Sequence, residues 1–101
     1  LNIEEVYASP ISLGRGFVKC AHGVMPVPAP ATLELLEGIP VHQTNIGKEL
    51  TTPTGAAIIT TVAKKFGTMP DMMIDSVGYG AGQRDLEEQP NLLRVCIGKK
   101  N

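Results

Sequence analysis

A chain of 101 residues with 43% hydrophobic content is long enough for one domain with a modest core and too short for two. Nine basic residues against ten acidic ones leave a formal charge of −1, which excludes the basic footprint that nucleic acid or an anionic membrane surface requires. No apolar run approaches the roughly 20 residues of a bilayer span, and the start of the chain lacks a secretory pattern, so a soluble cytoplasmic protein with free Cys20 and Cys96 thiols is expected. The chain opens on Leu1 and closes on Lys99-Lys100-Asn101, which reads as a fragment of a longer protein.

From Val6 to Leu13 the residues Tyr7, Ser9, Ile11 and Leu13 alternate with Ala8, Pro10 and Ser12, the pattern of a strand; Pro10 removes a ladder donor and marks an edge or a bulge. Gly14-Arg15-Gly16 makes a turn. Phe17 to His22 extends again, with Val18, Cys20 and His22 on one face and Phe17, Lys19 and Ala21 on the other. Pro26, Pro28 and Pro30 fix alternate φ values and predict a stiff strut. A short helix follows over Ala31 to Glu37, with Leu33 and Leu36 on its buried side and Gly38-Ile39-Pro40 as its stop.

Val41 to Ile46 reads as a short strand. Thr52 is an N-cap and Pro53 a first helical residue, and the spacing of Ile59, Val62, Ala63 and Phe66 predicts one buried helix face, with Lys64 and Lys65 at the C-terminal end and Gly67 as terminator. Met72 to Val77 reads as a strand, Gly78-Tyr79-Gly80-Ala81-Gly82 as a bulged turn needing positive φ, and Leu92 to Ile97 as a closing strand. In that last strand Leu93, Val95 and Ile97 face inward, and Arg94 and Cys96 lie on the other side. Strands interleaved with two helices predict an α+β fold: a two-layer single domain, residues 1–101, with a mixed sheet of about four to five strands and both helices on one face.

Three stretches carry chemistry. Cys20 and His22 present a thiol and an imidazole at i, i+2 spacing, the donors that suit nickel or zinc; a buried thiol beside a hydrogen-bonded histidine fits the same residues. In "ELTTPTGAA", Thr52, Thr54 and Gly55 stand where free backbone N–H groups at a helix start hold a phosphate or carboxylate; an ordinary Thr-Pro cap explains them equally. In "GYGAGQRD" a dinucleotide fingerprint is rejected, because Pro90 leaves no room for the helix it needs. Arg84 there either pairs with a carboxylate or reaches a ligand anion, and Lys19 is a further candidate anion contact. No Ser-His-Asp arrangement can be assembled around His42, Glu34 and Glu37 suit a solvated helix face, and the four methionines suit gap filling.

The blocks "LGRGFVKCAHGVMPVPAPATLELLEGIPV", "ELTTPTGAAI" and "GYGAGQRDLEEQPNLLRV" together resemble the LarC family of nickel-insertion proteins, from about Ser9 to Gly98. That resemblance implies a metal chelatase of the lyase class, which inserts nickel into pyridinium-3,5-bisthiocarboxylic acid mononucleotide in a CTP-dependent reaction with a divalent cation, yielding the nickel-pincer nucleotide of lactate racemase. It also implies partners among further domains of the same protein, with the CTP site outside this segment and a homo-oligomer left open. The matching positions are Gly16, Phe17, His22, Gly23, Pro26, Pro28, Pro30, Ala31 and Thr32, then Glu49, Thr52, Pro53, Thr54 and Gly55, then Gly78, Gly80, Gly82, Asn91 and Arg94. Cys20 stands outside the family pattern, and no catalytic residue can be placed. Two other readings remain open: a structural or oligomerisation module, and an anion or nucleotide binder.

Overall fold

The computed structural model describes residues 2–21, 23–81 and 92–100, apart from the side chains of Ala81 and Leu92. The fold is α+β, and the chain divides into two compact units, Leu1–Met69 and Pro70–Asn101. In the first unit the elements are β1 (Tyr7–Ala8), β2 (Ile11–Leu13), β3 (Gly16–Cys20), β4 (Gly23–Val27), α1 (Pro30–Leu35), β5 (Val41–Gln43), α2 (Pro53–Val62) and β6 (Lys65–Phe66). The second unit contains β7 (Met72–Ala81) and β8 (Leu92–Lys100).

The expected strand over Val6 to Leu13 is present as β1 and β2, interrupted at Ser9-Pro10 as the missing proline donor requires. Both halves are paired in parallel by strands that arrive much later: Tyr7 and Ala8 lie opposite Lys65 and Phe66, and Ile11, Ser12 and Leu13 opposite Val41, His42 and Gln43. The expected single mixed sheet of four to five strands is replaced by four two-stranded pairings, two parallel and two antiparallel. Beyond β5, the Thr44 amide and hydroxyl both donate to the Leu13 carbonyl, at 2.9 and 2.8 Å. Gly14 lies so close to the following loop that a Cβ built on it would fall on the Lys48 carbonyl oxygen, with the Ile46 oxygen 3.1 Å away. Only a residue without a side chain fits there.

The proline-rich stretch is partly a ladder strand instead of a strut. Pro26 and Val27 end β4, opposite Phe17 and Gly16, so β3 and β4 form a hairpin; the Val27–Pro28 bond is cis. Proline is tolerated because the pair has only two strands, and each therefore has an open edge.

Helix α1 begins at Pro30 as expected and is closed by a turn through Gly38 at φ +79°. Its buried residues are Leu36 at its end, 4% exposed, and Thr32, 0% exposed, whereas Leu33 is 47% exposed, contrary to the expected apolar side. With fewer than two turns of backbone, one strip alone reaches the core. Helix α2 has the expected Thr52 cap, whose hydroxyl accepts the Gly55 amide at 3.1 Å. Its buried residue is Ala56, and Val62, expected inside, is exposed. The helix stops at Val62 because Lys65 and Phe66 are taken by β1 as a parallel strand, so Lys64 and Lys65 are not its terminal turn. Instead Lys64 pairs with Glu5. Leu13, Leu36 and Ala56 form the core, with Ile11 and Ile39 against it, and α1 packs on α2.

In the second unit Gly78-Tyr79-Gly80 is not a turn. The strand runs through it to Ala81, neither glycine has positive φ, and nothing lies within 4 Å of a Cβ built on either. The bulge sits earlier, where Ile74 opposes Gly98 and Ser76 opposes Ile97, which leaves Asp75 as the extra residue. At that kink a Cβ on Gly98 would meet the Met73 oxygen, with the Ile74 Cα 2.9 Å away. Leu93 and Val95, expected to face inward, are exposed, because the residues opposite them are Gly80 and Gly78.

Candidate functional site

Of the two metal candidates, Cys20 is described, and it stands at the β3–β4 turn. Cys20 is the last residue of β3, exposed, with a free thiol and with Gly23 opposite it; the φ of +111° at Gly23 lets the chain reverse immediately. His22 lies outside the described residues. Lys19 is also exposed and, being adjacent to Cys20 in a strand, occupies the opposite face. Among the described residues there is no group of three or more His, Cys, Asp and Glu side chains arranged to hold a metal. His42, on β5, is exposed and lies opposite Ser12.

The anion candidates Thr52, Thr54 and Gly55 are exposed at the start of α2. One of the free amides there, that of Gly55, is already taken by the Thr52 side chain, so the cap satisfies part of what a bound anion would use. This helix start is held in place by residues that spacing did not single out. The Thr51 hydroxyl donates to the Ser12 carbonyl at 2.8 Å, and the buried Thr32 hydroxyl reaches the Thr51 carbonyl at 3.5 Å. A threonine just before the cap was the available signal, but its partner lies 39 positions away. Among the described residues no hydrogen bond or ion pair joins the β3–β4 hairpin to this helix start.

Arg84 lies outside the described residues. The β7–β8 ladder does reveal an alignment that reading residues 78–82 as a turn concealed: Tyr79 stands directly opposite Arg94, and Val77 opposite Cys96, all on one face. Tyr79 is 65% exposed, and Arg94 is exposed as well.

No helix is long and apolar enough to cross a membrane, among the described residues. No solved structure matches the chain. The family described as nickel insertion protein matches residues 1–101. The chain is 54% identical over 100 residues to the pyridinium-3,5-bisthiocarboxylic acid mononucleotide nickel insertion protein of Geobacillus kaustophilus (strain HTA426), covering 99% of this chain and 24% of that protein. It is 57% and 56% identical, each over 99 residues, to proteins of the same description from Desulfitobacterium hafniense strains DSM 10664 / DCB-2 and Y51, covering 98% of this chain and 24% of each of them. The chain thus spans about a quarter of the length of these relatives. With a match along its whole length, the chain belongs to the nickel insertion protein family.

Proposed function

We propose that residues 1–101 form one domain of a protein that inserts nickel into pyridinium-3,5-bisthiocarboxylic acid mononucleotide. The observation that carries this reading is the identity of 54–57% along nearly the whole chain to proteins named for that activity. Nickel is here the cargo. The finer reading is a cytoplasmic, CTP-dependent chelatase of the lyase class that serves lactate racemase, with CTP and its divalent cation held by the parts of the longer relatives that this chain does not cover.

Within the chain, the β3–β4 turn is the proposed metal path. Cys20 supplies a soft donor in solvent contact, and His22, two residues on, supplies an imidazole, a pair matched to a borderline-soft ion. An open pair of donors favours transfer over storage, since a closed four-donor shell would retain the ion. Thr52, Thr54, Gly55, Lys19 and Arg84 are the proposed contacts for the substrate's anionic groups, supported by the exposure of the first four.

The test is a calorimetric titration of nickel into the chain and its His22→Ala variant under reducing conditions. Saturable binding that is lost in the variant is expected; binding to neither protein would refute the metal path. In that event the second reading gains, a scaffold or oligomerisation module, which is favoured by the exposure of Phe17, Val24 and Met25 on the same hairpin. Sedimentation of the chain across a concentration series then shows whether that surface associates with a second copy.

A further inference from the structure

The face of the β7–β8 hairpin that carries Tyr79 has no role in the proposed metal path. Tyr79 and Arg94 are register partners, so their Cβ atoms are separated by about 5 Å, as for any directly opposed pair in an antiparallel ladder. The ring is 65% exposed, and neither the phenol nor the guanidinium has a hydrogen-bond or ion-pair partner among the described residues.

From this juxtaposition we infer that Tyr79 and Arg94 form a platform for a mononucleotide whose base is a planar, cationic ring: the Tyr79 face takes the ring and the Arg94 fork takes the phosphate. An aromatic face attracts a cationic ring through its quadrupole. A guanidinium with its donors unspent binds a phosphate in bidentate fashion, which a lysine would not reproduce. The two recognition elements stand on paired strands and not on a loop, so their separation is fixed by the ladder. A pyridinium nucleotide carries both complementary groups, joined by one ribose. The choice of pyridinium over other flat rings rests on the function proposed above; the platform itself rests on the ladder.

The experiment uses nicotinic acid mononucleotide, a pyridinium carboxylate ribose phosphate, as probe and needs no nickel. Amide chemical-shift mapping on the intact chain is expected to show saturable perturbations centred on residues 77–79 and 94–96. Arg94→Gln is expected to weaken binding about tenfold or more, the loss of charge-assisted hydrogen bonds, and Tyr79→Leu about threefold. Arg15→Gln, whose guanidinium bonds Asn45, serves as the control and leaves binding unchanged. Ribose 5-phosphate is expected to bind more weakly than the probe. Equal binding of the two, perturbations centred elsewhere, no saturable binding, or unchanged affinity in both hairpin variants would each overturn the inference. Because mapping is done on the unmodified protein, an unstable variant does not rescue it. A failed nickel titration would sink the metal path alone and leave this platform standing.

Discussion

Replacing Gly14 by alanine tests the tightest backbone contact in the first unit. The added Cβ would fall on the Lys48 carbonyl oxygen and crowd the Lys48 carbonyl carbon at 2.9 Å and the Ile46 oxygen at 3.1 Å, all backbone atoms with no rotamer to change. Relief therefore means moving the loop over residues 46–48, which strains the bond from the Arg15 amide to the Ile46 carbonyl at 2.8 Å. Overpacking of this sort costs about 1–3 kcal/mol where side chains can yield. Here they cannot, and we expect about 3 kcal/mol, a large share of the few kcal/mol that stabilise a unit of this size. A loss of that size lowers Tm by roughly 12–24 °C in a small domain. Thermal and urea melts of Gly14→Ala should be run beside Gly47→Ala, which has nothing within 4 Å of its new Cβ and should stay within about 0.5 kcal/mol of the parent. Equal stability of the two variants would refute the assigned packing of β2 against that loop.

Thr52→Ala removes the oxygen that accepts the Gly55 amide and should cost about 1 kcal/mol, with Thr52→Ser recovering most of it in the same melts. Gly98→Ala places a Cβ against the Met73 carbonyl oxygen, so the β7–β8 register should slip or open near the bulge; cross-strand NOEs between Ile74 and Gly98 should disappear while those of Tyr79 with Arg94 persist. Cys20, exposed at the end of β3, should be alkylated in the native chain at nearly the rate of a free thiol, and the partly buried Cys96 more slowly; mass spectrometry after brief reaction reads both.

What could be read from the sequence divides along a physical line. Local chemistry was legible: Thr52 and Pro53 start a helix, Pro30 starts another, and Pro10 breaks a strand, because each acts through its own backbone. The buried face of α2 was not, since Pro53 to Val62 contains no charged residue and offers no polar side to set the phase of the pattern. Nor did its periodicity reveal that Phe66 leaves the helix, a change imposed by β1 from the far end of the unit. The strand through Gly78 and Gly80 depends likewise on β8, which pairs with both glycines from the far side of the sequence. For the candidate site, the Cys20 thiol and the α2 cap were visible one by one, whereas the hairpin that ends β3 at Cys20, the Thr51 to Ser12 tie and the Tyr79 to Arg94 pairing needed the ladder partners.

The two-part strand at residues 7–13 sets a timetable for synthesis. Its β1 half can pair only after Lys65 and Phe66 have been made, and the Glu5 to Lys64 ion pair that accompanies this closure joins residues 59 positions apart. At the usual elongation rate the ribosome needs about 3–12 s to cover that distance. The β3–β4 hairpin, whose pairing is local, closes in microseconds once its residues emerge. Ile11 to Leu13 can pair earlier, once Val41 to Gln43 have been made. In the last part of that interval the nascent chain therefore carries two finished pairings beside a Tyr7–Ala8 stretch whose partner is still to come, and that stretch is where a chaperone would be expected to hold it.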